Sequence, residues 1–212
     1  AAAGDLCGRR IDVRPGDLVI AADAGYKYLE EQGITWDLLV GDFDSAPRPE
    51  SGGETVALSV QKDVTDTWQA LDEAVRRGCS EIHLYGGAGG RIDHTLANVQ
   101  MIAAHAAAGK RVYMYCDKMI LTAVHNDSIR VMKPETDESL IADPSMEPYL
   151  SVFAFGGRAE GVSISGAFYT LDGAVLDPVF PLGVSNWFKK GEKSAGISVE
   201  NGTLIVVWQD IL

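Results

Sequence analysis

The sequence predicts an α/β fold: an N-terminal, mainly parallel sheet with flanking helices, followed by an all-β sandwich. Two observations carry this. Over the first half, short apolar runs alternate with stretches whose apolar residues recur at helical spacing. From about residue 117 the texture changes to short strand-like segments separated by turn residues, with no convincing helix among them. A chain of 212 residues is long enough for one large domain or two small ones. The change in texture divides it into an α/β domain over 1–116 and a β-sandwich over 117–212.

The elements follow in order. LVIA (18–21) reads as a short buried strand, followed by Asp23. A helix fits 24–32, stopped by Gly33. DLLV (37–40) and TVALSV (55–60) are two further strands. KDVTD (62–66) opens a helix with Asp63 as its N-cap, and Val64, Trp68, Leu71 and Val75 recur at helical spacing before Gly78 closes it. EIHLYG (81–86) is the fourth strand. The next helix spans 93–108 with Leu96, Val99, Ala103 and Ala106 as its apolar stripe, and RVYMYC (111–116) is another strand. Strands alternating with helices imply a parallel sheet covered on both faces. The opening AAAGDL reads as the loop after a strand, so either the N-terminus is shortened or that strand is brief. In the second half MILTAV, SIRVMK, YLSVFAF, GVSISG, AFYTL, GISVE and TLIVVW read as strands, with ENGT (200–203) resembling a hairpin turn.

Composition narrows the function classes. The chain is 46% hydrophobic and 23% charged, ordinary for a globular protein. A net charge of −12 argues against nucleic acid, which wants a basic face. No apolar run approaches the roughly 20 residues of a membrane helix, and no signal peptide is visible. Cys7, Cys79 and Cys116 are odd in number and lack CxxC spacing, which suggests reduced thiols in a cytoplasmic protein.

The acids are clustered. GDFDS (41–45) places Asp42 and Asp44 two apart directly behind an apolar run, and Asp23, Asp63 and Asp66 also fall at strand ends or helix starts. In open α/β sheets ligands bind beyond the carboxyl ends of the strands, so these acids should gather on one edge. Carboxylates brought together are costly unless protonated or bridged by a cation, and hard oxygen ligands beside phosphates suit Mg²⁺. The bland alternatives stand beside this: Asp63 as a helix cap and Asp23 as a helix-start residue. For the pair in GDFDS no routine turn requirement is met twice. GGAGGRIDH (86–94) supplies the second element. Its glycines, Gly87, Gly89 and Gly90 among them, let the backbone approach a ligand and expose N–H groups. The helix start behind them favours an anion, and Arg91 can clamp phosphate oxygens. Arg91, His94 and Asn98 share a helix face by spacing; His94 is either a structural histidine or a substrate contact. No Ser-His-Asp arrangement is evident. Metal and phosphate cradle together imply phosphoryl or nucleotidyl chemistry.

DAGYKYL (23–29), GDFDS (41–45), KDVTD (62–66), GGAGGRIDHTLANVQ (86–100) and GVSN (183–186) together resemble the thiamine pyrophosphokinase family, in that order and over nearly the whole chain. The resemblance implies an α/β ATP-binding domain followed by a β-sandwich, a homodimer, and transfer of pyrophosphate from ATP to the thiamine hydroxyl. It implies Asp42, Asp44 and Asp66 as Mg²⁺ ligands, with Asp23 and Asp93 nearby. Lys62, Asp63, the glycine loop and Arg91 are implied as nucleotide and phosphate contacts. His94 and Asn98 lie on the substrate side, and Ser185, Asn186 and Trp187 at the thiamine site across the dimer interface. Two departures stand out. DAGY replaces a commoner Asp-Gly-Gly-Ala, and Trp187 stands where bacterial relatives often carry an acid, either stacking on thiamine or packing in the core. Two other readings share parts of this pattern: a diphosphokinase acting on a hydroxymethyl pterin, and a nucleotide or thiamine sensor without turnover.

Overall fold

The structure is a computed structural model that describes residues 1–6, 8–41, 53–57, 64–135 and 147–210. The chain divides into two compact units, Ala1–Met101 with Tyr113–Asp117, and Ile102–Val112 with the residues from Lys118 onward.

In the first unit β1 (Ile20–Ala22), β2 (Leu38–Gly41) and β3 (Glu54–Ala57) lie side by side in that order, all parallel. Leu38, Leu39 and Val40 are at most 1% exposed, the continuous apolar run that a parallel strand covered on both faces requires. Each fully buried Leu or Val contributes about 1.5–3 kcal/mol of burial free energy. Ala22 is in register with Val40, so Asp23 and Gly41 stand at the same edge of the sheet. The helix expected over 24–32 begins instead with a 3₁₀ turn, Asp23–Gly25, and is α-helical only over α1 (Tyr26–Glu31). Close approach tightens that entry: a Cβ on Gly25 would lie 2.2 Å from the Ala1 carbonyl oxygen. Tyr26 and Leu29 then pack with Trp36 and Leu39, the Tyr26 and Trp36 rings 6.0 Å apart.

The next helix, α2 (Asp66–Arg76), corrects the expected cap. Thr65 is its N-cap, its Oγ1 accepting the Trp68 N–H at 3.2 Å; Asp63 lies outside the described residues. A threonine three residues before Trp68 satisfies one of the orphan N–H groups of the first turn. Ala70 seats α2 on Ala22, Leu38 and Val40.

β4 (Glu81–Tyr85) leads through the glycine loop to α3 (Ile92–Ala107) and then to β5 (Arg111–Cys116), which is hydrogen-bonded to β4. The stripe expected on α3 is rotated. Asn98, Met101, Ile102 and His105 form the buried face, whereas Leu96 is 60% exposed. Two residues are about 200° of helix, so Leu96 cannot share a face with Asn98. Ala103 is buried as expected. Cover on both faces also fails at β4, where Glu81 and His83 stay exposed. Rings take the place of a helix there: Tyr85 stacks on Tyr115 at 4.5 Å, His83 Nδ1 lies 2.8 Å from the Tyr115 hydroxyl, and the Arg9 guanidinium sits 5.4 Å from the Tyr115 ring centre. The opening residues, read as a loop, run like a strand between β1 and β4. The Ala22 N–H donates to Ala1 O at 2.8 Å, and the N–H groups of Ala2 and Gly4 donate to Tyr85 O and Gly86 O at 2.8 Å each.

The second unit is antiparallel. β6 (Met119–His125), β7 (Ser128–Met132), β8 (Tyr149–Ser165), β11 (Ser194–Ser198) and β12 (Asn201–Gln209) hydrogen-bond in the order β6-β12-β8-β11-β7, and β9 (Leu171–Leu176) and β10 (Asn186–Trp187) add to β8. YLSVFAF and GVSISG are not two strands but one, β8, of 17 residues. Its first half pairs with β12 and its end with β11, so one strand serves both sheets of the sandwich. Gly156, at φ 73, and Gly161, at φ 65, let it bend between them. AFYTL does not form a strand before Leu171, and ENGT is not a hairpin, because β11 and β12 do not pair with each other: β8 lies between them. No helix among the described residues is long and apolar enough to cross a membrane.

Candidate active site

The residues expected to act fall into two groups, one in each unit. In the first unit Asp23 follows β1 and holds φ at 49, the left-handed region that a non-glycine residue enters only where its surroundings enforce it. Asp66 is the first residue of α2, where the helix dipole favours a carboxylate. Both offer hard oxygen donors, the chemistry Mg²⁺ takes, and residues of this kind fit the ion. Asp42, Asp44, Lys62 and Asp63 lie outside the described residues. Among the described residues, no three of His, Cys, Asp and Glu come together.

The glycine loop divides in two. Gly86 and Gly87 are buried and serve packing: a Cβ on Gly86 would stand 2.4 Å from Ala2 O, and one on Gly87 would stand 2.7 Å from Met114 Sδ. Asn98, 6% exposed, donates through Nδ2 to Gly87 O at 2.6 Å and so ties the loop to α3. Gly89 and Gly90 are exposed. Gly90 has φ 66 with nothing near the place of a Cβ, so only its backbone conformation demands glycine there. The inner half holds the loop; in the outer half a Cβ on Gly89 would stand 2.7 Å from Asp5 Cβ, while the space at Gly90 is open.

Arg91 closes this element. Its Nε donates to Asp93 Oδ1 at 3.1 Å and its Nη2 to Asp93 Oδ2, while Asp93 Oδ1 also accepts the His94 N–H at 3.0 Å. The Arg91 guanidinium, helped by the His94 N–H, holds the Asp93 carboxyl down to about 2, and Asp93 in turn raises the Arg91 pKa. Both side chains are exposed, at 71% and 59%. A phosphate reaching Arg91 therefore competes with a carboxylate already in place. The His94 side chain is exposed as well.

In the second unit Ser185 precedes the short strand β10, which Asn186 and Trp187 form. Ser185 has φ 55, and its N–H donates to Ser151 Oγ at 3.0 Å. The chain over 166–169 runs beside 186–189: the Phe168 N–H donates to Trp187 O at 2.9 Å, and the Lys189 N–H to Gly166 O at 3.0 Å. Asn186, 5% exposed, extends this ladder with its side chain. Its Oδ1 accepts from the Tyr169 and Trp187 N–H groups, each at 3.0 Å, and its Nδ2 donates to Tyr169 O at 2.7 Å. The Trp187 ring stacks on Phe168 at 4.7 Å and meets Tyr169 edge-on at 5.3 Å. Its Nε1–H is buried with no acceptor among the described residues. Phe168 and Tyr169 are 50% and 59% exposed and stand perpendicular, at 86°. Sequence reasoning missed these two because AFYTL read as a strand. The available signal was two adjacent aromatics, of which an alternating strand would bury only one.

Comparison with known proteins gives two family matches. Residues 13–114 match the family model described as thiamin pyrophosphokinase, catalytic domain, and residues 131–204 the one described as thiamin pyrophosphokinase, vitamin B1 binding domain. The thiamine pyrophosphokinase of Bacillus subtilis (strain 168) is 26% identical over 175 residues, covering 80% of this chain and 77% of that protein. The crystal structure of thiamine pyrophosphokinase from Bacillus subtilis superposes with a TM-score of 0.81 at 22% identity, covering 100% of this chain and 98% of the other, a likeness of fold. A thiamin pyrophosphokinase family protein from Enterococcus faecalis has a TM-score of 0.78 at 26% identity, covering 100% and 97%.

Proposed function

Because the chain belongs to the thiamin pyrophosphokinase family, we propose that it transfers pyrophosphate from ATP to the hydroxyl of thiamine, giving thiamine diphosphate and AMP. The observation that carries the reading is the double match: a catalytic domain over 13–114 and a vitamin B1 binding domain over 131–204 in one chain. Local geometry in each unit supports it.

In the first unit the outer glycines and Arg91 receive the phosphates. Gly89 and Gly90 offer backbone N–H groups, and α3 behind them presents its N-terminal end to negative charge. Arg91 exchanges Asp93 for phosphate oxygen, so that its charge is neutralised before the nucleotide arrives and is delivered to it on binding. Asp42, Asp44 and Asp66 would hold Mg²⁺, which when bound neutralises phosphate charge. In the second unit Phe168 and Tyr169 present an aromatic corner to the flat rings of thiamine, with Trp187 stacked behind Phe168. The hydroxyl attacks the β-phosphorus and AMP leaves. The protein's part is to orient the two in line and to balance the charge that develops. It works in the cytoplasm as a homodimer whose sites are shared between subunits.

Phosphorus NMR of the protein with thiamine, ATP and Mg²⁺ tests this directly. Equimolar thiamine diphosphate and AMP are expected. Thiamine monophosphate with ADP would replace β-attack by simple phosphoryl transfer, and no turnover with thiamine would remove the substrate assignment.

A further inference from the structure

We infer that Asn186 is a positioning residue: it acts on thiamine through Tyr169, not by touching thiamine itself. The inference rests on the proposed thiamine reaction for the identity of the ligand, and on hydrogen-bond geometry for the mechanism.

A neutral carboxamide offers two acceptor sites on oxygen and two N–H donors. In Asn186 both acceptor sites are taken, by the N–H groups of Tyr169 and Trp187, and one donor goes to Tyr169 O. The side chain is 5% exposed, so little of it is left for a ligand. Its two bonds to Tyr169 use both backbone groups of that residue, as a strand partner would. The side chain thus adds one rung to the ladder between 166–169 and 186–189. A shorter residue would end the ladder at Phe168. Tyr169 would then be free to turn its backbone, and the perpendicular corner it forms with Phe168 would open. Trp187 reinforces the arrangement from behind: its N–H shares the Asn186 oxygen, and its ring fixes Phe168. The pieces form one unit in which Asn186 sets the backbone, Trp187 sets the Phe168 ring, and Tyr169 meets the ligand.

A double-variant cycle with a local structural readout tests this. Thiamine affinity is measured calorimetrically for the unmodified protein, Asn186→Ala, Tyr169→Ala and the double variant. Amide hydrogen exchange at Phe168 and Tyr169 is followed by NMR without ligand. Losing an aromatic platform weakens binding by roughly five- to 150-fold. If Asn186 acts through Tyr169, Asn186→Ala weakens binding no more than Tyr169→Ala does, and the double variant is no weaker than Tyr169→Ala. Exchange at Tyr169 then rises in Asn186→Ala while Phe168 stays protected, and KM for ATP does not move. Asn186→Asp, which keeps the acceptors and loses the donor, keeps Tyr169 protected and lies between. It also supplies the comparison should Asn186→Ala fold poorly. Losses that multiply in the double variant, or an unchanged Tyr169 amide, would overturn the inference and make Asn186 a direct contact. If the unmodified protein binds no thiamine, the reading beneath the inference fails instead, and the exchange data still report whether the clamp exists.

Discussion

Replacing Asn98 separates two roles that the sequence left joined. The sequence placed Asn98 on the substrate side of α3; in the structure its amide is buried and donates to Gly87 O at 2.6 Å. Asn98→Ala leaves that buried carbonyl without its donor, which costs about 1–3 kcal/mol. For a chain of this size each kcal/mol lowers the melting temperature by about 2–4 °C, so a fall of roughly 2–12 °C is expected. Asn98→Asp tests the same bond more severely, since it keeps the volume but turns a buried carboxylate oxygen toward a carbonyl. It should therefore destabilise more than alanine. The loop that loses its tether carries Gly89, Gly90 and Arg91, so KM for ATP should rise while KM for thiamine changes little. Differential scanning calorimetry gives the first quantity and steady-state kinetics the second. An alanine variant with an unchanged melting temperature would refute the tether, and a rise confined to the thiamine KM would make Asn98 a substrate contact.

Four further outcomes are expected. Gly86→Ala should destabilise more than Gly90→Ala by thermal melting. Both force a side chain into left-handed backbone, at about 1–2 kcal/mol, but only the first also drives a Cβ to 2.4 Å from Ala2 O. Asp44→Asn should lower turnover by orders of magnitude at ordinary Mg²⁺ with an unchanged circular dichroism spectrum, and full activity would remove Asp44 from the metal site. The carboxyl of Asp93 should titrate by NMR near 2 in the unmodified protein and move up toward the ordinary carboxylate range in Arg91→Ala, where only the His94 N–H still holds it down. Its folded pKa is the lower one, so what the pair adds to stability is present above about pH 4 and lost as pH falls through about 2. Trp187→Phe keeps an aromatic ring against Phe168 and deletes a buried N–H that has no acceptor among the described residues, so the melting temperature should not fall. A clear drop would show that the indole N–H is satisfied.

The parallel half was legible because buried parallel strands write themselves as continuous apolar runs. Leu38, Leu39 and Val40 could hardly be anything else. The start of α2 and the face of α3 were harder for opposite reasons. Two cap residues stand close together before Asp66, and only tertiary context chooses Thr65 over Asp63. On α3 the many alanines weaken the periodic signal, so Met101 and Ile102 decide which side turns inward. In the β half, single strands were visible but their partners were not, because pairing over long separations leaves no local trace. The glycine loop and the Ser185–Trp187 stretch were found as motifs. The division of labour inside them was not, since Asn98 and Asn186 show what they hold only when their amides are seen against backbone.

β12 lies between β6 and β8, hydrogen-bonded to each, and all three run through the core of the sandwich. A ribosome makes β12 after every other strand of this unit. Until it emerges, the edges of β6 and β8 that it will occupy carry unpaired N–H and C=O groups beside apolar side chains, the kind of surface that recruits stray strands. The sandwich therefore closes like a keystone arch, late and all at once. A chaperone acting on the nascent chain should matter most in the interval between synthesis of β8 and release of β12, and substitutions that weaken β12 should show first as low yield of folded protein.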